Sequence, residues 1–178
     1  PEHETWRAQL RKFLDREVAP FLEEWDENAK IPDALWAKAA EIGLLQVGYP
    51  EAYGGISEGI DQHYVNITGE ELGRIGSAGG VASTLLIHGI GLPPVVNFSN
   101  DEIKEQVIPA VLSGEKRISL GITEPSGGSD VANIKTTAKK EGDFYIVNGS
   151  KTFISGGMGA NWVSTAVRTG DEGAAGVS

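Results

Sequence analysis

Arg117-Ile118-Ser119-Leu120-Gly121-Ile122-Thr123-Glu124-Pro125-Ser126-Gly127-Gly128-Ser129-Asp130 is the stretch where the character of the chain changes. Residues 117–123 read as a strand, because Ile118, Ile122 and Thr123 are β-branched. Pro125 has no N–H and stops backbone pairing at its own position. Gly127 and Gly128 then let another group approach the backbone with no Cβ in the way. Thr123 and Ser129 add hydroxyls, and the bared N–H groups form a concave set of donors. Two readings fit: a tight strand-to-loop turn with no ligand, or a seat for a flat heteroaromatic ring with carbonyl acceptors or for an anionic group.

Downstream the period stays near two. Residues 134–140 alternate, Glu141-Gly142 reads as a turn, and 144–147 are rich in strand formers. Asn148-Gly149 is a hairpin signal, since both residues tolerate positive φ. It is expected to lead into a strand over 151–155 with Lys151, Phe153 and Ser155 on one face. An aromatic ring beside a hydroxyl suits either an ordinary core strand or a cover for a planar cofactor. Residues 162–169 complete an expected antiparallel meander. A half-built sheet leaves an open edge, so this domain is expected to continue past Ser178.

Upstream of the quoted stretch the period is helical. Trp6, Leu10, Phe13 and Leu14 fall at i, i+4, i+7 and i+8, with Arg7, Arg11 and Lys12 off that stripe. Pro20 restarts the chain in a first helical turn. Leu35, Ala39 and Ile42 repeat the pattern over 33–42, and Gly43 supplies the stop. Residues 50–60 read as a loop and 58–73 as a helix. The small apolar run 77–91 predicts one buried helix, weakened by its glycines. Ser99 and Glu102 have capping-box spacing and open a helix to Leu112, closed by Gly114. The fold class is therefore α+β: an all-α unit over 1–118, then the beginning of a β-domain over 119–178.

The composition removes several chemistries. The 178 residues hold no cysteine, so disulfides, thiolate catalysis and cysteine metal sites are excluded. His3, His63 and His88 lie far apart, without metal-ligand spacing. A net charge of −10 argues against a nucleic-acid surface. That charge is uneven: residues 1–118 hold 19 acidic and 10 basic side chains, a net of −9, and 119–178 hold 6 and 5, a net of −1. The near-neutral segment is the better place to meet an anionic ligand. No run of apolar residues is long enough for a membrane span, and no signal peptide is visible. The chain opens with Pro1 and its only methionine is Met158, so a natural start is expected upstream. No G-x-G-x-x-G opens a helix after a strand, and no P-loop occurs. Ser129, His88 and Asp130 could be drawn as a triad, but nothing resembles a nucleophile elbow.

Taken together, the motifs resemble the acyl-CoA dehydrogenase family. Thr123-Glu124-Pro125-Ser126-Gly127-Gly128-Ser129-Asp130 is similar to its T-E-P-x-x-G-S-D signature. Asn148-Gly149-x-Lys151-x-x-Ile154-Ser155-Gly156-Gly157 is similar to its N-G-x-K-x-x-I-[TS]-N-G signature, with Gly156 where Asn is usual. Pro50-Glu51-Ala52-Tyr53-Gly54-Gly55, Glu70-Glu71-Leu72-Gly73-Arg74, the Lys104–Pro109–Gly114-Glu115 spacing and Ala160-Asn161-Trp162 agree with it along nearly the whole chain.

The resemblance implies a helical domain, an antiparallel β-barrel-like middle domain, and a carboxy-terminal helical bundle that is missing from this sequence. It implies FAD as cofactor, with Leu120, Gly121, Ile122, Thr123, Phe153, Ile154 and Ser155 lining the flavin and Ser129 meeting the acyl-CoA. Phe153 stands where many members have tryptophan, and Ser155 where they have threonine. The family's catalytic glutamate belongs to the carboxy-terminal bundle, so no catalytic residue is assigned to this sequence. The implied reaction is α,β-dehydrogenation of an acyl-CoA thioester, with electrons passed to an electron-transferring flavoprotein, in a homotetramer. The implied location is the cytoplasm, or the mitochondrial matrix in a eukaryote. An acyl-CoA oxidase, another flavin enzyme on the same scaffold, or a non-catalytic homologue is the alternative.

Overall fold

The computed structural model describes residues 1–76 and 79–178. Helix α1 (Glu2–Glu17) buries the expected stripe of Trp6, Leu10, Phe13 and Leu14. Glu2 and Glu4 in its first turn and Arg16 in its last suit the helix dipole. A 3-10 turn over Ala19–Phe21, with Pro20 as its second residue, leads into α2 (Leu22–Glu27). Helices α3 (Ala34–Glu41) and α4 (Gln62–Arg74) follow, with Asp61 capping α4 by accepting from the His63 N–H. Leu10, Leu14, Trp36, Leu45, Leu72 and Leu85 belong to one continuous core.

Helix α1 is joined to α4 by charge as well as by packing. Glu71, 1% exposed, accepts from Arg11 at 2.7 and 2.9 Å, from Arg7 at 3.1 Å and from Arg74 at 2.9 Å. The first and strongest of these, the Arg11 bond, and then the other two arginines hold its carboxyl down to about 2 against the opposing effect of burial.

The segment expected as one buried helix over 77–91 is instead two short ones, α5 (Gly80–Leu85) and α6 (His88–Gly91). Residues 77 and 78 of that reading lie outside the described residues. Glycines at both ends lower helix stability, and packing decides the break. Helix α7 (Pro93–Phe98) leads to α8 (Asp101–Leu112). The cap of α8 is Asn100, whose side chain accepts from the Ile103 N–H, and not Ser99. Moving the cap by one residue places Asp101 and Glu102 in the first turn, where the dipole favours them. Gly114, at φ +76°, ends the helix, and a Cβ there would overlap the Trp36 carbonyl.

Four strands follow: β1 (Ile118–Gly121), β2 (Thr137–Glu141), β3 (Phe144–Asn148) and β4 (Trp162–Thr165). The helical half followed by the start of a β-domain agrees with the expected fold class. The pairing corrects the expected meander. β2 and β3 form an antiparallel hairpin closed at Gly142, whereas β1 pairs in parallel with β4, Ile118 opposite Trp162 through Gly121 opposite Thr165. The Asn148-Gly149 pair closes no hairpin. Gly149, at φ +156°, packs so tightly on Thr136 that no Cβ would fit, and the chain leaves β3 there without turning back. Residues 151–155 are not a strand either, since Phe153 takes φ +56° and breaks the alternation. No described helix is long and apolar enough to cross a membrane.

Candidate functional site

The start of β1 is pinned to the helical half. The Arg117 guanidinium lies 4.8 Å over the Trp36 ring and 3.0 Å from Asp33. Arg117 N–H donates to Asn161 Oδ1 and Arg117 O accepts from Asn161 N–H, both at 2.9 Å. That exchange sets the register of β4 beside β1. Helix α6 packs on β1 at Gly91, where a Cβ would come within 3.0 Å of the Ser119 backbone, and Ser164 Oγ donates to Gly91 O at 2.7 Å.

Two loops then converge at the end of β1. The first, 122–130, folds on itself: Glu124 N donates to Gly127 O at 2.9 Å and Gly127 N returns the bond at 3.0 Å. Gly128 lies over the Thr123 side chain, where any Cβ would press to 3.0 Å. The second, 151–156, lies alongside. Thr152 N donates to Thr123 O at 2.8 Å, and the buried Ser119 hydroxyl donates to Ser155 O at 2.9 Å. Gly156 closes the loop at φ +69°, a value that glycine and asparagine both tolerate, so glycine here keeps the backbone path.

A carboxylate joins the loops. Glu124, 4% exposed, accepts from the Lys135 and Thr136 N–H groups at 2.6 and 2.8 Å and from Lys151 Nζ at 2.9 Å. Lys151 Nζ also donates to Ile122 O at 2.9 Å. Burial alone would raise the Glu124 carboxyl, but hydrogen bonds from the Lys135 and Thr136 N–H groups and from Lys151 outweigh it and hold it at about 2. The N–H groups of Ile122, Thr123, Phe153 and Ser155 find no acceptor among the described residues. Phe153 is 91% exposed and held in a left-handed conformation that a non-glycine residue rarely adopts. The site is thus an open shelf of free donors with the hydroxyls of Thr123 and Ser155, and an aromatic ring standing beside it. A groove of about 800 Å³ lies in the helical half, lined by Leu44, Val47, Tyr49, Leu86, His88 and Pro93 among others. Burial keeps His88 neutral there, pushing it down to about 4.

Comparison with known proteins decides the lineage. Residues 1–115 match the profile described as acyl-CoA dehydrogenase, N-terminal domain, and residues 119–178 that of the acyl-CoA dehydrogenase middle domain. The chain belongs to the acyl-CoA dehydrogenase family. It is 37% identical over 166 residues to the mitochondrial long-chain specific acyl-CoA dehydrogenase of Rattus norvegicus, covering 93% of this chain and 37% of that protein. The crystal structure of a probable acyl-CoA dehydrogenase from Mycobacterium abscessus superposes with a TM-score of 0.90 at 44% identity, over 99% of this chain and 46% of the other. An acyl-CoA dehydrogenase from Bacillus anthracis, solved in complex with FAD, superposes with a TM-score of 0.80 at 35% identity, over 94% of this chain and 29% of the other. The chain thus spans less than half the length of these relatives.

The residues singled out from the sequence of this acyl-CoA dehydrogenase relative fall in three groups. Leu120 and Gly121 end β1, and Ile122 and Thr123 continue it into the first loop. Ile154 and Ser155 lie in the second loop, which Ser119 and Thr152 tie to β1 and Thr123, so these residues are brought together. Phe153 shares that loop but points to solvent, and Ser129 is exposed one residue beyond Gly128. The expected shared face of Lys151, Phe153 and Ser155 does not form: Lys151 turns inward to Glu124. The glycine-loop N–H groups expected to be bare are partly spent in the turn between Glu124 and Gly127. Sequence reading missed Glu124 and Lys151 as a pair. The available signal was an acid in the first motif and the single base, Lys151, in the second.

Proposed function

We propose that this chain forms the flavin-facing and acyl-CoA-facing part of an FAD-dependent acyl-CoA dehydrogenase, which desaturates the α,β bond of a thioester and passes electrons to an electron-transferring flavoprotein. The observation that carries this reading is the convergence of the two motif loops on one shelf, joined by the bond from Thr152 N to Thr123 O. Free N–H groups and the Thr123 hydroxyl suit the carbonyl-bearing edge of an isoalloxazine, and the exposed Phe153 ring suits its flat face. The FAD complex of the Bacillus anthracis relative supports the same cofactor.

In this reading Leu120, Gly121, Ile122 and Thr123 hold the pyrimidine side of the ring. Phe153, Ile154 and Ser155 cover and hydrogen-bond its centre, and Ser129 meets the acyl-CoA. Bound FAD supplies the hydride acceptor. The chain's part is to orient the ring with fixed donors, which act more strongly where water is excluded. No described carboxylate at the shelf serves as base. Glu124 is spent on Lys151 and two N–H groups, and its low pKa makes it a weak proton acceptor. We also propose that the helical unit spans 1–118 and the β-unit begins at 119. The exposed apolar side chains of β3, Phe144, Tyr145, Ile146 and Val147, are suited to cover by further protein, as in a homotetramer. The family resemblance supports a location in the bacterial cytoplasm or, in a eukaryote, the mitochondrial matrix.

The test is made on the full-length protein. Purified protein is expected to carry FAD, seen as the flavin absorption band, and Ser155→Ala is expected to slow flavin reduction by acyl-CoA while leaving Tm unchanged. Protein that takes up no FAD, or a Ser155→Ala variant reduced at the wild-type rate in stopped flow, would remove the cofactor reading or the Ser155 role respectively.

A further inference from the structure

The peptide unit that faces the shelf is held from behind. Lys151 Nζ bridges Ile122 O and Glu124 Oε1, each at 2.9 Å. A trans peptide is planar, so the C=O of Ile122 and the N–H of Thr123 point in opposite directions. With its oxygen taken by Lys151, this unit turns the Thr123 N–H to the side opposite Lys151, where it meets no acceptor among the described residues. The neighbouring unit is fixed in the same way: Thr152 N donates to Thr123 O, and Glu124 N, at the opposite edge of that peptide plane, donates to Gly127 O.

A lysine stem of four carbons holds such a geometry poorly alone, because ordering it costs rotamer entropy. Glu124 removes that freedom. Its carboxylate is itself fixed by the Lys135 and Thr136 N–H groups, and it is nearly inaccessible to water. The ammonium therefore has one charged partner and one carbonyl in a set direction.

We propose that Glu124 and Lys151 form a positioning pair that aims the backbone N–H of Thr123 at the flavin. The proposal rests on the FAD reading above and adds residues that touch no ligand. A purely architectural pair would matter for stability and leave the ligand's affinity alone, and the experiment separates the two.

The full chain is prepared without flavin and titrated with FAD, following quenching of flavin fluorescence. Tm of the flavin-free protein and the absorption bands of bound FAD are recorded alongside. Lys151→Met keeps the stem and removes the ammonium. It is expected to weaken FAD binding about five-fold or more, the size of one misdirected hydrogen bond, and to shift the flavin bands. Glu124→Gln, which can still accept a backbone N–H, is expected to act in the same direction. Glu71→Gln, a buried carboxylate in the helical half, is the control: a lower Tm with wild-type FAD affinity.

Folded Lys151→Met and Glu124→Gln proteins with wild-type affinity and bands would overturn the positioning role. If Lys151→Met does not fold, Glu124→Gln decides; if neither folds, the pair is architectural and the proposal fails. Wild-type protein that binds no FAD would sink the cofactor reading itself, a result distinct from unaffected variants of a flavin-binding wild type.

Discussion

Glu71→Gln is expected to destabilise the helical half by an amount that depends on pH. Glu71 stands against Arg7, Arg11 and Arg74, and its folded carboxyl is held at about 2 against an ordinary value of 4.5. Each tenfold gain in ionisation is worth about 1.4 kcal/mol, so the full difference is ~3 kcal/mol. The arginines are partly open to water and can hydrate when released, which reduces the net effect to ~2 kcal/mol. A carboxyl whose pKa is lowered on folding stabilises the protein above the unfolded value and loses that effect as pH falls toward the folded value. Glutamine mimics the protonated acid. Wild type should therefore exceed Glu71→Gln by ~2 kcal/mol at pH 7, or about 4–8 °C in Tm for a chain of this size. The gap should close progressively between pH 4.5 and pH 2. Thermal melts of both proteins by circular dichroism, from pH 7 down to pH 3, provide the measurement. A gap that stays constant over that range would show that Glu71 contributes by shape and packing rather than by charge, and would refute the electrostatic account.

Two further outcomes test the local geometry. Gly114→Ala places a Cβ against the Trp36 carbonyl at φ +76°, whereas Gly59→Ala at φ +70° meets nothing within 4 Å. Thermal melts should show about 1 kcal/mol lost at Gly59 from backbone strain and at least twice that at Gly114; equal losses would mean that the overlap relaxes freely. Asn100→Ala should cost about 1 kcal/mol as loss of the α8 cap, and Ser99→Ala less than about 0.5 kcal/mol, with the reverse order restoring the capping box read from the sequence.

The helical half was legible in the sequence because its signals are local. A stripe such as Trp6, Leu10, Phe13 and Leu14 specifies which face of α1 is buried whatever it packs against. Helix ends were legible only to within a residue, since Ser99 and Asn100 are both capping types and packing of Val107, Ile108 and Val111 selects between them. The region 77–91 misled because glycine and alanine carry little directional pattern, so its division into α5 and α6 depends on contacts from elsewhere.

The β half divides along the same line. Its strand content and turn residues are written in β-branched and glycine positions, and the two motifs are continuous in sequence, so family and shelf could both be read from residues alone. Pairing could not. The parallel match of β1 with β4 joins residues 44 positions apart, Arg117 to Asn161, and parallel register follows from the path between strands rather than from either strand's composition. The sequence reads Phe153 as one position in an alternating strand; in the structure its φ is positive, between a Lys151 drawn inward to Glu124 and a Ser155 tied to Ser119. What the sequence alone determined is the periodicity of each segment and the identity of the two family motifs. The tertiary structure decided which oppositely charged groups meet, because a buried carboxylate and ammonium are stable only where the fold supplies both partners at hydrogen-bond distance.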